Sequence, residues 1–299
     1  MMEPVSPDPR RVALAGASGT IGATVARRLE ADGHRVIAVP RSALGDSARL
    51  AALFAEAEPD IFISCIASRS GAPKDAEAVD YRANLALLEA AQAAGAEQFI
   101  LLSAICVQKP MLAFQHAKLK FESELMASGV GYTIVRPTAF FKSLSGQVQR
   151  VKAGKPFLIF GDGNLTRCKP ISDDDLARFI ASVISNPEAL GKVLPIGGSG
   201  PALSLRDAGA LLFAAAGKEP RYRSVSPVIF TFAGKLLALG APFSAWFAEK
   251  AEYARIAHYY ATESMLVLDP ATGEYSADLT PEFGSETLAE HYRRLLAEA

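Results

Sequence analysis

Val12-Ala13-Leu14-Ala15-Gly16-Ala17-Ser18-Gly19-Thr20-Ile21-Gly22 is the stretch on which the reading of this chain turns. Four apolar residues, a run short enough for a buried strand, lead into three glycines spaced Gly-x-x-Gly-x-x-Gly, and a helical pattern follows through Ala31. A strand that turns tightly into a helix gathers backbone N–H groups and the positive end of the helix on one side of the turn. That is where a pyrophosphate binds. The glycines let the backbone come close to it. The loop therefore points to a dinucleotide held by Gly16, Ser18, Gly19, Thr20, Ile21 and Gly22. A ligand-free strand-to-helix turn can carry the same glycines, so the neighbouring segments have to decide.

They alternate. Apolar runs at Val12–Ala15, Val36–Val39, Ile61–Cys65, Phe99–Leu102 and Tyr132–Val135 predict strands. Helical patterns at Ile21–Ala31, Ala48–Ala57, Ala76–Ala94 and Ala113–Ser128 lie between them, several stopping at a glycine such as Gly33, Gly95 or Gly129. Such alternation predicts an α/β fold, a Rossmann-type doubly wound parallel sheet. Beyond about residue 137 the rhythm loosens. A turn at Gly161-Asp162-Gly163-Asn164 follows Phe157–Phe160, a further strand is expected at Val193–Ile196, and Ser204-Leu205-Arg206-Asp207 has the spacing of a capping box. Asp173-Asp174-Asp175 reads as the acidic first turn of a helix. The expected organisation is a polar tail over 1–10, a nucleotide-binding core over 11–140, and a smaller interleaved C-terminal substrate lobe with further core elements over 141–299.

Composition narrows the class. Half of the 299 residues are hydrophobic and the formal net charge is -1, so the chain suits a compact protein and nucleic acid is not an expected partner. Three scattered cysteines and four histidines without ligand spacing give no metal or iron–sulfur site, and no disulfide framework. The polar, proline-bearing Met1–Arg10 has neither signal-peptide nor transit-peptide character, from which a cytoplasmic location is expected. Val228–Ala248 is apolar but interrupted by Gly234, Lys235, Gly240 and Pro242. No transmembrane segment is expected there; helical pieces covering an apolar surface are, with peripheral membrane contact left open.

The second strand ends at Val39-Pro40-Arg41-Ser42. An acidic residue at this place would accept from a ribose 2'-hydroxyl. Arg41, with Ser42 beside it, suits a 2'-phosphate, which makes NADPH the expected cofactor.

The glycine spacing resembles that of the extended and atypical short-chain dehydrogenase/reductases, and other residues agree. Asn84 lies in Tyr81–Leu85, Ser103 closes the fourth strand where that family keeps a serine beside the nicotinamide, and Pro137 closes the fifth where its nicotinamide-contacting proline sits. The family's Tyr-x-x-x-Lys falls on Phe114-Gln115-His116-Ala117-Lys118. The lysine is kept to hold the nicotinamide ribose, but phenylalanine has no proton to give a carbonyl oxygen.

From Ile134 onward the chain is similar to a narrower group, the NADPH-dependent divinyl chlorophyllide a 8-vinyl reductases. The matching blocks are Arg136–Gln147, Gly154–Phe157, Phe160–Gly163, Cys168–Ser172, Tyr259–Val267, Asp269–Tyr275, Thr280-Pro281 and Gly284–Leu288. The resemblance implies reduction of the 8-vinyl group of a divinyl (proto)chlorophyllide to ethyl in chlorophyll or bacteriochlorophyll synthesis. A flat pigment needs apolar walls, for which Phe140, Phe141, Phe230, Phe232, Trp246, Phe247, Tyr259 and Tyr260 are candidates, Phe140 also touching the cofactor. Lys142 is a candidate proton donor or partner for a pigment carboxylate, and Tyr259 or Tyr260 a candidate replacement for the missing acid. His116 and His258 are candidates to ligate the pigment magnesium, although solvent-facing imidazoles are the simpler account. The lost tyrosine leaves one alternative open, a non-enzymatic protein that senses the dinucleotide or assists assembly.

Overall fold

The structure, a computed structural model, describes residues 8–242 and 244–298, so most of the expected polar tail lies outside the described residues. The strands β1 (Arg11–Ala15), β2 (Arg35–Val39), β3 (Ile61–Ser64), β4 (Gln98–Leu102), β5 (Gly131–Pro137), β6 (Lys192–Gly198) and β7 (Glu282–Phe283) form one seven-stranded sheet in the order β7-β6-β5-β4-β3-β1-β2. Every neighbouring pair is parallel. The Rossmann-type doubly wound sheet expected from the sequence is the observed fold. The chain leaves β1 toward β2 and then crosses to β3 on the other side, so the switch in strand order lies where β1 delivers its glycine loop.

Strand residues alternate between two apolar layers. Val12, Leu14, Ile61, Ile63 and Ile100 meet Val25 and Leu29 of α1 (Thr20–Ala31) and Leu176 and Ile180 of α5 (Asp173–Ser182). Ala13, Ala15, Phe62, Phe99 and Ile134 face α2 (Ser47–Ala57), α3 (Asn84–Ala93) and α4 (Ala113–Ala127). Both faces are covered, which is why the strands read as nearly continuous apolar runs. α5 starts at the predicted acidic turn, with the Ser172 hydroxyl accepting from the Asp175 N–H.

A smaller apolar cluster belongs to the C-terminal half. The parallel pair Phe157–Phe160 and Tyr222–Val225 packs with α6 (Leu205–Ala215) and α9 (Leu288–Glu298) around Val151, Phe157, Leu212 and Tyr292. The Ser204–Asp207 capping box forms at the start of α6 as its spacing predicts. Phe141 is 3% exposed inside this cluster, with its ring 5.4 Å from His291.

Helices α7 (Val228–Gly240) and α8 (Ala245–Thr262) pack on one another, Gly234 allowing the close approach to Ala254. The expectation that the Val228–Ala248 region covers an apolar surface is corrected. Val228, Ile229, Phe232, Leu236 and Leu239 are exposed, so α7 displays an apolar stripe outward. Among the described residues no helix is long and apolar enough to cross a membrane.

Candidate active site

The glycine loop is shaped by its backbone. Gly16 has φ +89°, and a Cβ there would lie 2.8 Å from the Cys65 carbonyl oxygen; a Cβ on Gly22 would collide with the carbonyl of Gly16. The Gly19 N–H donates to the Gly16 carbonyl at 2.9 Å, and α1 begins at Thr20 without any side-chain cap. The first turn of α1 thus offers its N–H groups to a cavity of about 660 Å³ lined by Gly19–Gly22.

Further round this cavity lie Cys65–Gly71, Leu102, Ser103, Phe114, Lys118 and Phe140, with Tyr253, Ile256 and Tyr260 of α8 over it. The Lys118 ammonium is 3.0 Å from Oδ1 of Asp80, whose side chain is fully buried. Asp80 comes from an unusual π-helical segment, Ala76–Ala83, that leads into α3. Its Oδ1 also accepts from the Ser68 N–H at 3.3 Å, while Oδ2 is buried without a partner among the described residues. Ser103 donates its hydroxyl proton to Glu122 at 2.5 Å, and Glu122 is paired in turn with Arg136. The Ser103 oxygen therefore has only acceptor capacity left for the cavity. A cradle that no Cβ could enter, free helix N–H groups and an orphaned buried acceptor together fit an elongated polar ligand such as a dinucleotide.

A second cavity of about 490 Å³ adjoins the first. Apolar groups such as Ile105, Pro137, Ala139, Leu144, Phe160, Leu203 and Met265 dominate its wall, with Arg167 and Glu263 among the few charges. Ala104, Phe140, Ser143 and Tyr260 line both spaces.

A family model described as NAD(P)H-binding matches residues 43–187. A cucumber (Cucumis sativus) divinyl chlorophyllide a 8-vinyl-reductase is 44% identical over 98% of this chain and 78% of its own length. The chain belongs to the divinyl chlorophyllide a 8-vinyl-reductase family. Among solved structures, a ternary complex of leucoanthocyanidin reductase from Vitis vinifera has TM-score 0.69 and 18% identity, covering 96% of this chain and 99% of the other. An Escherichia coli NADPH-dependent quinone oxidoreductase complexed with NADPH has TM-score 0.66 and 20% identity, with 95% and 99% covered. These two likenesses speak for the fold. The cytoplasmic location expected from Met1–Arg10 is corrected by the reductase relatives: the cucumber, rice, maize and Arabidopsis proteins are named chloroplastic.

In this 8-vinyl-reductase family member, the structure brings together Gly19, Thr20, Ile21, Gly22, Ser103, Lys118, Phe140 and Tyr260 around the first cavity, with Pro137 in the wall of the second. Gly16 and Ser18 shape the loop without lining the cavity. Arg41 and Ser42 stand in an exposed turn just after β2, outside the cavity lining, and Arg41 lends positive charge toward Asp75. Burial works against the Asp75 carboxylate, but the Ser70 N–H and hydroxyl, each at 2.8 Å, hold it below the usual range.

Four expectations need correction. Tyr259 is 2% exposed and its hydroxyl donates to the carbonyls of Cys106 at 3.0 Å and Lys109 at 3.2 Å, behind the cavity wall; burial raises its phenol to about 12. It lines neither of these two cavities. Lys142 lines the first cavity but donates to the Thr20 hydroxyl at 2.8 Å, at the N-terminus of α1 and beside Asp173, where a phosphate rather than a pigment is the natural neighbour. Phe141 points into the C-terminal cluster because the backbone turns helical right after Phe140. Trp246 is 55% exposed, packed edge-on against Phe247, and lines neither cavity. Sequence reasoning missed Asp80, Arg69, Glu122 and Arg167. A fully buried aspartate beside a kept lysine leaves no periodic signal.

Proposed function

We propose that this chain is an oxidoreductase that uses NADPH to reduce the 8-vinyl group of a divinyl chlorophyllide-type tetrapyrrole to ethyl, in chlorophyll or bacteriochlorophyll synthesis. The observation that supports the reading is an apolar second cavity that shares Ala104, Phe140, Ser143 and Tyr260 with the cavity around Lys118 and Ser103, in a chain 44% identical to a reductase of that name. When bound, the dinucleotide supplies the hydride.

The chain's own groups divide the remaining work. Gly19–Gly22 and the uncapped turn of α1 hold the pyrophosphate, with the Lys142 ammonium balancing its charge through the Thr20 end of the helix. Arg41 and Ser42 take the 2'-phosphate. Lys118, steadied by Asp80, holds the nicotinamide ribose, and Ser103 and Pro137 fix the nicotinamide ring. Phe140, shared by both cavities, faces cofactor and pigment alike. The exposed stripe of α7 supplies peripheral contact with a lipid surface.

Mixing the protein with NADPH and divinyl chlorophyllide tests the reading. The expected result is a blue shift of the pigment Soret band that depends on NADPH, as vinyl conjugation is lost. Protein that binds NADPH but leaves the Soret band unmoved refutes it and favours a non-enzymatic role.

A further inference from the structure

We propose that Tyr260 is the proton donor of the reduction, standing in from α8 for the phenol that position 114 lacks; this rests on the vinyl-reductase reading above. Phe114 and Tyr260 both line the first cavity, together with Lys118 and Ser103, so a phenol is present in the chamber although it comes from another helix. The vinyl group must sit where the cofactor side meets the pigment side, so its proton donor belongs at that junction. Of the four residues lining both cavities, Ala104 and Phe140 carry no acidic proton and Ser143 has an alcohol, whose proton is harder to give than a phenol's. Tyr260 is the titratable group at that junction.

Other acids nearby are occupied or misplaced. The Tyr259 proton goes to backbone carbonyls, and Tyr275 donates to Glu263, which is also paired with Lys109. Tyr253 lines the first cavity without reaching the second, and Cys106 does the reverse. Tyr259 has a different use. Its ring meets that of Tyr260 edge to face at 5.7 Å and 89°, and its anchored hydroxyl fixes the surface against which Tyr260 rests. Tyr260 is 45% exposed as a residue, and desolvation of its phenol, then the Cys106 thiol beside it, push that phenol above its ordinary value.

The step balances. One vinyl carbon accepts the hydride, the π pair moves to the other carbon and into the macrocycle, and the Tyr260 O–H bond breaks as its proton forms the second C–H bond. The products are an ethyl group and oxidised dinucleotide, and the phenolate takes a proton from solvent.

Tyr260→Phe is expected to lower kcat by about 100- to 10,000-fold, the range of a lost general acid, with NADPH affinity by fluorescence titration unchanged. Replacing Tyr260 by 3,5-difluorotyrosine, which keeps shape and lowers the phenol pKa, is expected to move the alkaline limb of the kcat profile to lower pH. A Tyr260→Phe rate within threefold of the parent overturns the proposal, as does an alkaline limb that does not move. Turnover by the parent protein in the same assay separates the two levels: a parent that gives no Soret shift refutes the function, whereas an active parent with an equally active Tyr260→Phe variant refutes only the role of Tyr260.

Discussion

Replacing Lys118 by methionine should unfold the protein far more readily than loss of a surface lysine would. Asp80 is fully buried, its Oδ1 faces the Lys118 ammonium at 3.0 Å, and its Oδ2 has no partner among the described residues. Methionine keeps most of the lysine stem but leaves a carboxylate in the protein interior with one weak backbone contact, Ser68 N–H at 3.3 Å. Removing one member of a buried pair costs about 3–5 kcal/mol, mostly the penalty of the abandoned charge. With roughly 2–4 °C lost per kcal/mol in a chain of this size class, Tm should fall by about 6–20 °C. The double variant Asp80→Asn, Lys118→Met removes that charge and should regain more than half of the loss, while NADPH affinity stays weakened if Lys118 holds the ribose as proposed. Urea denaturation monitored by circular dichroism, with NADPH fluorescence titration alongside, measures both effects. A Lys118→Met protein within about 1 kcal/mol of the parent would refute the buried-charge argument. So would a double variant no more stable than the single one.

Arg41→Ala should raise the KM for NADPH about 10- to 100-fold, as expected for a lost charge-assisted pair of about 1.5–3 kcal/mol, and leave that for NADH unchanged; equal KM values for parent and variant would remove Arg41 from the 2'-phosphate site. His34 is buried and its Nδ1 accepts from the Arg10 N–H at 3.1 Å, and burial lowers its pKa. A histidine whose folded pKa is depressed binds its proton first in the unfolded state. Stability should therefore be flat above the unfolded value near 6.5 and fall as pH drops below it, with a shallower fall in His34→Gln; identical pH profiles in denaturant melts would contradict this. The α7 stripe should float the protein with anionic phospholipid vesicles. Changing Phe232, Leu236 and Leu239 together to serine should cut that binding by at least 100-fold, since each buried side chain contributes about 1.5–3 kcal/mol; equal flotation would rule out the stripe as the contact.

What was legible in the sequence follows from how each signal is encoded. A parallel sheet covered on both faces writes itself as apolar runs between amphipathic helices, so β1 to β6 and the helices α1, α2 and α4 could be placed to within a residue or two. The glycine loop was legible because backbone needs there exclude other residues. Pairs of neighbouring residues were not. Tyr259 and Tyr260 are adjacent, yet a helix turns each residue by about 100°, sending one into the core and the other to the cavity junction. Phe140 and Phe141 diverge for a similar reason, Phe140 being extended and Phe141 the first helical residue. Asp80 escaped notice because the π-helical segment that aims it at Lys118 breaks the regular spacing on which a periodic reading depends.

The loss of tyrosine at position 114 and the position of Tyr260 make sense as one change in acid chemistry. A phenol that protonates a carbonyl oxygen benefits from a nearby ammonium that lowers its pKa. Here the ammonium of Lys118 is tied to Asp80, and the groups acting on Tyr260 are Cys106 and Tyr259, neither of them cationic. Its raised pKa keeps the proton in place until a more basic acceptor forms. A carbon bearing the electron pair displaced by hydride is such an acceptor. On the proposed reading the donor stands on α8, at the junction of the two cavities, while Lys118 stands on α4, so proton and ribose are handled from different helices. Restoring Phe114→Tyr should therefore fail to rescue Tyr260→Phe, because the phenol would stand at a site from which only the first cavity is lined.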